Sequence, residues 1–430
     1  MKKIRNIILG LSTVVVGVAP LAIAMKCSED KKQQKELKIL SSLEKNDSLT
    51  SDVQVTRKPK MILITDEGHV TDKSFNQSSW EALQVIKQQI GDKGETNYIE
   101  PSQEGYDGAY NAARTQGWNI WILSGFKHEN PIKKYLANAT NRKALEDAKV
   151  KIICVDFAID KTVYNYAYSL QFKVSEPGWI VGYATGAYLN DLFPNNPEKR
   201  IASSFGGGPF NGVTDFNRGF VKGLLAWNVA NPDKKVKTNK TGVPLDSGFI
   251  PNDAMKNVII NVLSEKPNVV LPVAGPATNT TVEMFIKDKT YSDATVIGVD
   301  VDQAYSYQEG SKQFKRFLTS ITKNIAQAVY DVILASEFNI DSKNLFADTP
   351  TKTTKGWTNG LAEKWAGYTK SHIANDELRT KYDTHLAEAL SKFQALSAEE
   401  KTKVNTDTLP DGTAGTPQDL LNAYATKINE

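Results

Sequence analysis

The chain has 430 residues, of which 40% are hydrophobic and 23% are charged, a composition that excludes a disordered chain and a multi-span membrane protein. Its formal charge is +3, and four of its 52 basic residues precede Cys27. Without those four, 48 basic residues face 49 acidic ones, and a net charge of about −1 gives no support for nucleic-acid binding. The length allows two domains of ordinary size, each with its own core.

The first 26 residues have the pattern of an export signal. Three basic residues among the first five precede an apolar run over residues 7–24, as in the n-region and h-region of a signal peptide. Cys27 follows, at the place where bacterial lipoproteins carry a lipid-modified cysteine. We therefore predict a signal peptide over residues 1–26 and a lipid anchor at Cys27, which places the protein on the extracellular face of the cell membrane.

Two alternatives to lipidation stay open. Lys26 departs from the usual small residue before a lipid-modified cysteine, and Ala22-Ile23-Ala24 fits a cleavage site that would free a mature chain from Met25. The other alternative is an uncleaved membrane helix, for which the apolar run is near the lower length limit. The next segment, residues 27–58, is rich in Lys, Gln, Ser and Asp and predicts a polar tether between membrane and folded body.

After Pro59, apolar strand-like runs alternate with amphipathic helical segments, which predicts right-handed βαβ units and parallel sheets. The predicted strands cover residues 61–65, 95–99, 120–123, 150–157, 166–170, 200–205, 235–238, 269–273 and 295–299. The predicted helices cover residues 78–90, 107–116, 130–147, 179–191, 214–231, 252–264 and 279–288. These strands are too many for one compact sheet of ordinary size, so we predict an α/β protein of two lobes with a cleft between them.

The pattern restarts near residues 160–168, which sets the predicted boundary between the lobes. Lobe 1 is predicted over residues 59–165 and lobe 2 over residues 166–312, with a return segment to lobe 1 over residues 313–338. Within that segment, residues 318–338 predict an amphipathic helix. Residues 339–430 are more polar, and the near-helical spacing of Trp357, Leu361 and Trp365 predicts a mostly helical C-terminal extension that packs on the body.

Three aspartates follow predicted strands directly: Asp66, Asp156 and Asp300. Ligands of open α/β sheets bind at the carboxyl ends of strands, whereas a single aspartate there is usually a helix cap or part of a turn. Three such residues are hard to ascribe to capping alone. Together they would accept hydrogen bonds from hydroxyl or amine groups and repel phosphate, which favours a neutral polyhydroxylated ligand.

Aromatic and basic residues add to this set. Phe75 and Phe249 lie among polar residues in predicted loops, where a phenylalanine either anchors the loop in the core or stacks on a flat ring. Lys323 either is a solvated cation or, near Asp300, donates to a hydroxyl group. The residues leave both interpretations open for each of the three side chains.

The chain lacks the sequence motifs of several classes of enzyme and cofactor-binding protein. The chain has no G-x-S-x-G elbow and no P-loop, and Pro209 removes a backbone donor from the glycine run before it, which we interpret as a strand-to-helix turn. The four histidines show no metal-ligand spacing, and Cys154 lies in an apolar run as a buried strand residue. We therefore predict a protein that is not an enzyme and that needs no metal or cofactor.

Taken together, these residues resemble the basic membrane protein family of purine-nucleoside-binding lipoproteins, the substrate-binding components of bacterial ABC transporters. The resemblance covers about residues 61–338, and its matching stretches occur in the family's order. They are TDEGHVTDKSFNQSSWEAL, SGF, FGGGPFNGVTDFNRGFVKGL, IGVDVDQ and TSITKN.

The resemblance implies a type I periplasmic-binding-protein-like fold, with two Rossmann-like lobes joined by a hinge and a nucleoside enclosed between them. It implies an ABC permease as the partner protein. It also implies the ligand-binding residues: Phe75 stacked on the base with Asp66 and Asn76 beside it, Phe249 on the other base face, Asp156 at the base edge, Asp300 and Lys323 on the ribose hydroxyls, and Gly275 for close backbone approach.

Other functions stay open beside this one. The first is a nucleoside-cleaving enzyme that uses the carboxylates. The second is a receptor for another ring-and-polyol ligand, such as riboflavin or a sugar. The third is a surface adhesin or antigen with a vestigial cleft.

Overall fold

The computed structural model describes residues 39–102 and 105–430, so the predicted signal peptide, the lipidation site at Cys27 and the first part of the predicted tether lie outside the described residues. From Leu40 onward the chain forms one compact unit. None of the helices in the described part of the chain is long and apolar enough to cross a membrane.

The described residues contain strands and helices that largely alternate along the chain. The strands are β1 (Lys60–Thr65), β2 (Glu95–Ile99), β3 (Ile120–Ser124), β4 (Lys151–Val155), β5 (Ala167–Phe172), β6 (Ala202–Gly206), β7 (Val269–Val273), β8 (Thr295–Asp300), β9 (Phe317–Lys323), β10 (Lys355–Asn359) and β11 (Ala366–Tyr368). The helices are α1 (Phe75–Ile90), α2 (Tyr106–Thr115), α3 (Glu129–Ala137), α4 (Ala139–Asp147), α5 (Ser175–Leu192), α6 (Asn211–Ala230), α7 (Asp253–Ser264), α8 (Gly275–Lys287), α9 (Ile325–Glu337), α10 (Asp376–Ala395), α11 (Ala398–Val404) and α12 (Pro417–Asn429).

Two sheets define two lobes. Lobe 1 has six parallel strands in the order β10-β5-β4-β3-β1-β2, and lobe 2 has five strands in the order β11-β9-β8-β7-β6, of which only β11 is antiparallel to its neighbour. The central strands are buried apolar runs because helices cover both faces of each sheet, as in β1, where every residue after Lys60 is buried. The predicted α/β fold of two Rossmann-like lobes is confirmed.

The chain passes between the lobes at three crossings. The first leads from β5 to α5, the second from β9 to α9, and the third from β10 to β11. At the second crossing only Asn324 separates the two elements, and α9 then packs on α1 of lobe 1. Three short adjacent connections of this kind form a hinge about which two rigid lobes can rotate.

The predicted lobe boundary differs from the structure by one strand. β5 pairs with β4 and therefore belongs to lobe 1, although its residues were predicted to begin lobe 2. The return to lobe 1 occurs at Asn324 and not at residue 313, since β9 is still paired with β8 in lobe 2. The predicted helix over residues 318–338 is wrong in its first part, where Leu318 to Lys323 are strand residues. This strand is buried on both faces, so it shows no alternation that would separate it from the helix behind it.

Two further element predictions are wrong. Residues 235–238 form no strand, and Lys237 makes only an isolated bridge with Ile201. The near-helical spacing of Trp357 and Trp365 does not reflect a helix, because Trp357 lies in β10 and Trp365 directly precedes β11. A single stretch of the C-terminal extension therefore adds one strand to each lobe.

The predicted tether ends earlier than residue 58. Leu40 and Leu49 are buried, and the backbone carbonyls of Asn46 and Leu49 accept hydrogen bonds from Gln89 of α1. The stretch from Leu40 onward is thus part of the folded body, held on lobe 1. The polar composition of this stretch does not reveal that it is folded, because backbone groups make most of its contacts and these do not depend on residue type.

The rest of the C-terminal extension is helical, as predicted. α10, α11 and α12 pack on α5 and α6 of lobe 2. The ring of Phe393 packs at a tilt against Trp179 of α5 with ring centroids 5.7 Å apart, and Arg218 of α6 forms an ion pair with Asp407 at 2.9 Å. The three helices are therefore an integral layer of lobe 2.

Substituting Phe393→Ala tests this packing. The ring is 5% exposed, so its loss should leave a cavity and destabilise the protein by about 3–5 kcal/mol. Chemical denaturation would measure the change, with the exposed neighbour substituted as Gln394→Ala for control. Equal unfolding midpoints for the two variants would contradict an integral layer.

Candidate functional site

The loop after β1 is organised by one carboxylate at the start of α1. Asp72 accepts hydrogen bonds from the backbone N–H groups of Ser74, Asn76 and Gln77 at 2.9, 2.9 and 3.1 Å. These bonds satisfy donors that the first turn of a helix leaves free, and they fix Phe75 and Asn76 at that turn. Asp72 lies in the stretch TDEGHVTDKSFNQSSWEAL, and in the structure it orients the predicted ligand-binding residues that follow it.

Asn76 has an unused acceptor. Its amide nitrogen donates to the Glu67 carbonyl at 2.9 Å and to Asp72 at 3.0 Å. Its Oδ1 atom is buried and has no hydrogen-bond partner among the described residues. A buried acceptor without a donor is costly, and such an atom at a strand-end site is suited to a donor on a ligand.

The three predicted aspartates lie at strand ends, as expected. Asp66 follows β1, Asp156 follows β4 and Asp300 ends β8. Asp156 and Asp300 have φ values of 66° and 68°, a left-handed conformation that aspartate tolerates better than most residues do. Asp66 lies against Gly125, where an added Cβ atom would be 1.8 Å from its carboxylate, so only glycine fits.

Lys323 links the lobes through a buried ion pair. Its side chain is 1% exposed, and Nζ donates to Oδ2 of Asp156 at 2.8 Å and to the Gly212 carbonyl at 2.9 Å. Asp156 belongs to lobe 1, whereas Lys323 and Gly212 belong to lobe 2. The rings of Phe75, Phe172 and Phe216 surround Nζ at 5.3, 5.7 and 5.2 Å from their centroids, which is cation–π distance.

A second polar contact closes the lobes on each other. Ser74 of lobe 1 donates from Oγ to Oδ2 of Asp300 in lobe 2 at 2.5 Å. Gly275, the first residue of α8, lies opposite Ser74, and an added Cβ atom there would be 2.6 Å from both the Cβ and the Oγ of Ser74. Gly275 thus allows close backbone approach, although the group that approaches it here is Ser74 of the other lobe.

Phe249 lies in a different aromatic group from Phe75. It stacks with Phe210 at a centroid distance of 6.5 Å, and Phe210 stacks across the lobe interface with Phe126 at 3.7 Å. Phe126 and Phe210 lie in the SGF and FGGGPF stretches and were not among the predicted site residues. Their pairing joins two lobes, so no local pattern reveals it.

Burial controls the charge of two site aspartates. It raises the pKa of Asp66 to about 7 and the pKa of Asp300 to about 6, and in Asp300 the nearby Lys323 and the Ser74 hydroxyl lower it again in part. Asp156 acts on both by raising their pKa values, which indicates that the three carboxylates share one region. Fewer free negative charges are therefore present near neutral pH than the sequence implies.

The arrangement is suited to holding a solute between the lobes. It offers carboxylate and amide acceptors, one ammonium donor and aromatic rings, all at the line where two hinged lobes close. Among residues 39–102 and 105–430, no group of three or more His, Cys, Asp and Glu side chains is placed to hold a metal ion. The fold and the site define a two-lobed solute-binding protein.

Comparison with known proteins gives the family. The family model described as ABC transporter substrate-binding protein PnrA-like matches residues 60–377. The chain is 27% identical to the CD4+ T-cell-stimulating antigen of Listeria innocua, with 77% of this chain and 84% of that protein covered. It is 26% identical to the ABC transporter nucleoside-binding protein BmpA of Lactococcus lactis, with 74% and 83% covered.

A solved structure supports the fold. An ABC transporter solute-binding protein from Aeropyrum pernix superposes with a TM-score of 0.56 at 18% identity and covers 86% of this chain and 91% of its own.

The chain belongs to the PnrA-like family of ABC transporter substrate-binding proteins, which confirms the predicted resemblance. Members of this class bind solutes outside the cytoplasm for transport and are not enzymes, so the prediction of a non-enzymatic protein is confirmed.

The raised pKa values predict how stability depends on pH. The folded protein holds the Asp66 proton up to about pH 7, whereas the unfolded chain releases it near 3.8, so stability should fall as pH rises between these values. Asp66→Asn should remove this loss and raise the thermal midpoint at pH 8 but not at pH 4. Thermal unfolding at both pH values, with the exposed Asp92→Asn as control, would measure this. An unchanged midpoint at pH 8 would contradict the burial of a charge at Asp66.

Proposed function

We propose that this protein is a membrane-anchored receptor that binds purine nucleosides between its lobes and delivers them to an ABC permease. The proposal rests on one observation. A set of acidic, amide, basic and aromatic side chains lies where the two lobes meet: Asp66, Phe75, Asn76, Asp300 and Lys323. The name of the Lactococcus relative, a nucleoside-binding protein, supports the same ligand class.

The base would lie at the α1 end of the site. Phe75 would stack on one face of the ring, and the free Oδ1 atom of Asn76 would accept from an N–H group of the base. Asp66 and Asp156 would face the base edge. A pKa near 7 lets Asp66 act as an acceptor or, when protonated, as a donor.

The ribose would lie toward lobe 2. Asp300 would accept from ribose hydroxyl groups and Lys323 would donate to them, with the backbone at Gly275 in close approach. These groups already make contacts across the interface, so a nucleoside would replace the Ser74–Asp300 bond and part of the Lys323–Asp156 pair. We assign the far side of the ligand to the aromatic group of Phe126, Phe210 and Phe249.

Lobe closure would convert binding into a signal for the permease. A ligand that bridges the lobes favours the closed state by its differential affinity for that state. The export signal and Cys27 support a lipid anchor that keeps the receptor beside its transporter.

Isothermal calorimetry with the full chain tests the ligand class directly. Inosine, guanosine and adenosine should bind in the micromolar range or tighter. Pyrimidine nucleosides, riboflavin and free sugars would be titrated separately as alternative ligands. Mass spectrometry of small molecules released from the purified protein should identify a purine nucleoside. Binding of riboflavin or a sugar alone would overturn the proposal, and release of free base from inosine would indicate an enzyme instead.

Asp300→Ala should weaken nucleoside binding by roughly 10- to 100-fold, since a hydrogen bond to a charged group contributes about 1.5–3 kcal/mol. Calorimetry would measure the affinity, and circular dichroism would show that the variant is folded. Asp191→Ala, which removes a carboxylate that pairs with His385 of α10 at 2.9 Å, is the matched control and should bind normally. Equal affinities for the two variants would remove Asp300 from the site.

Phe75→Ala should weaken purine nucleosides by roughly 5- to 100-fold, because base–aromatic stacking contributes about 1–3 kcal/mol. Phe75→Leu keeps an apolar side chain without a ring and separates stacking from packing. If stacking matters, both variants lose affinity while the ligand-free thermal midpoint of Phe75→Leu stays close to that of the parent. Normal affinity in Phe75→Leu would support the core-anchor interpretation.

A further inference from the structure

The N-terminal strap, defined as residues 40–52, is bound to lobe 1 through a buried carboxylate. Glu81 of α1 is 1% exposed and accepts from the backbone N–H groups of Leu40 and Ser41 at 2.8 and 2.9 Å, from the Ser41 hydroxyl, and from Gln77 at 2.8 Å. A buried carboxylate is costly without such donors. The strap is therefore the main source of donors for a charge inside lobe 1.

The strap also binds the helix that begins at the second crossing. The backbone N–H of Glu44 donates to Oε1 of Gln327 at 2.7 Å, and that of Asn46 donates to the Tyr330 hydroxyl at 2.9 Å. The Tyr330 hydroxyl in turn donates to Gln89 of α1 at 2.6 Å. The strap thus fixes α9 to α1 close to the place where the chain leaves lobe 2.

The third crossing is tied to the same segment. Glu44 pairs with Lys364 at 3.1 Å, and the Lys364 carbonyl accepts from the side chain of Asn324 at 2.7 Å. The backbone N–H of Asn324 also donates to the Trp365 carbonyl at 2.8 Å. The second and third crossings are therefore joined to each other, and the strap contacts the elements at both.

The strap extends to the interface between the two lobes. Ser41 and Ser42 line a small polar cavity together with Asp300 and Lys323, the two residues assigned to the ribose. The Ser41 hydroxyl lies 3.2 Å from the Ser78 hydroxyl, which accepts from the backbone of α9 at Ala326. One segment thus connects the hinge and the edge of the site.

We propose that the strap is a hinge brace that stabilises the closed arrangement of the lobes. Opening changes the backbone angles of the crossings, and Asn324 and Lys364 must then move relative to a strap that is held, together with α9, on lobe 1. The strap contacts oppose this movement. The brace rests on the two-lobed fold, and only its effect on nucleoside release rests on the proposed function.

Distance measurements between two spin labels test the brace without any ligand. The labels would be attached at Lys143→Cys on α4 of lobe 1 and at Val229→Cys on α6 of lobe 2. Both positions are exposed: the Lys143 side chain is 76% exposed and Val229 is 75% exposed. The Cys27→Ser background leaves only Cys154, which is fully buried. Pulsed electron paramagnetic resonance would then report the distribution of interlobe distances in the full chain.

Two variants weaken the strap and a third is the matched control. Tyr330→Phe removes the acceptor for Asn46, and Glu81→Ala removes the acceptor for Leu40 and Ser41. Tyr164→Phe removes a hydroxyl that is buried in lobe 1 and donates to the Val150 carbonyl at 2.6 Å, away from the strap. The two strap variants should lengthen the mean label distance and speed release of inosine by about threefold or more, whereas the control should match the parent.

The outcomes separate the two proposals. Identical distance distributions in parent, Tyr330→Phe and Tyr164→Phe would overturn the brace, and if Glu81→Ala does not fold, Tyr330→Phe alone decides. A lengthened distance in Tyr330→Phe supports the brace even if the parent binds no nucleoside. Failure of the parent to bind any nucleoside would overturn the proposed function and leave the label distances as the test of the brace.

Discussion

The closed structure depends on the ammonium group of Lys323. A buried charge is strongly unfavourable unless its partners are in place, and here they come from both lobes: the Asp156 carboxylate from one and the Gly212 carbonyl from the other. The left-handed backbone at Asp156 and the three phenylalanine rings complete this environment. Moving the lobes apart separates Lys323 from Asp156, so water or a ligand must then compensate the charge.

The same constraint supports the proposal of a neutral ligand. Asp66, Asp156 and Asp300 share a buried region, and burial already drives Asp66 and Asp300 toward their protonated forms. A phosphate would add negative charge to a region in which burial already disfavours the ionised form of the aspartates. Hydroxyl and ring N–H groups are instead neutral donors, and the Oδ1 atom of Asn76 has no donor among the described residues. On the proposed function, the balance of donors and charge would therefore contribute to selection of the ligand.

Much of this was accessible from the sequence because it is local. The strand-end positions of Asp66 and Asp156 follow from apolar runs that stop at a polar residue, and the family stretches indicated the two-lobed fold. The errors arise where the structure depends on distant pairing. β9 was assigned to a helix because it is buried on both faces, and β10 forms only because it pairs with β5, far away in the chain. The stack of Phe126 on Phe210 likewise requires two lobes to meet.

The two edge strands from the C-terminal extension have a consequence for the order of folding. β10 covers the edge of β5 in lobe 1, and β11 covers the edge of β9 in lobe 2. An uncovered sheet edge is a template for pairing with other chains. Neither sheet is complete until residues 355–368 are present, although lobe 1 begins at residue 60. A chain truncated before residue 355 would therefore present β5 and β9, which are largely buried in the full protein, as the edges of its two sheets.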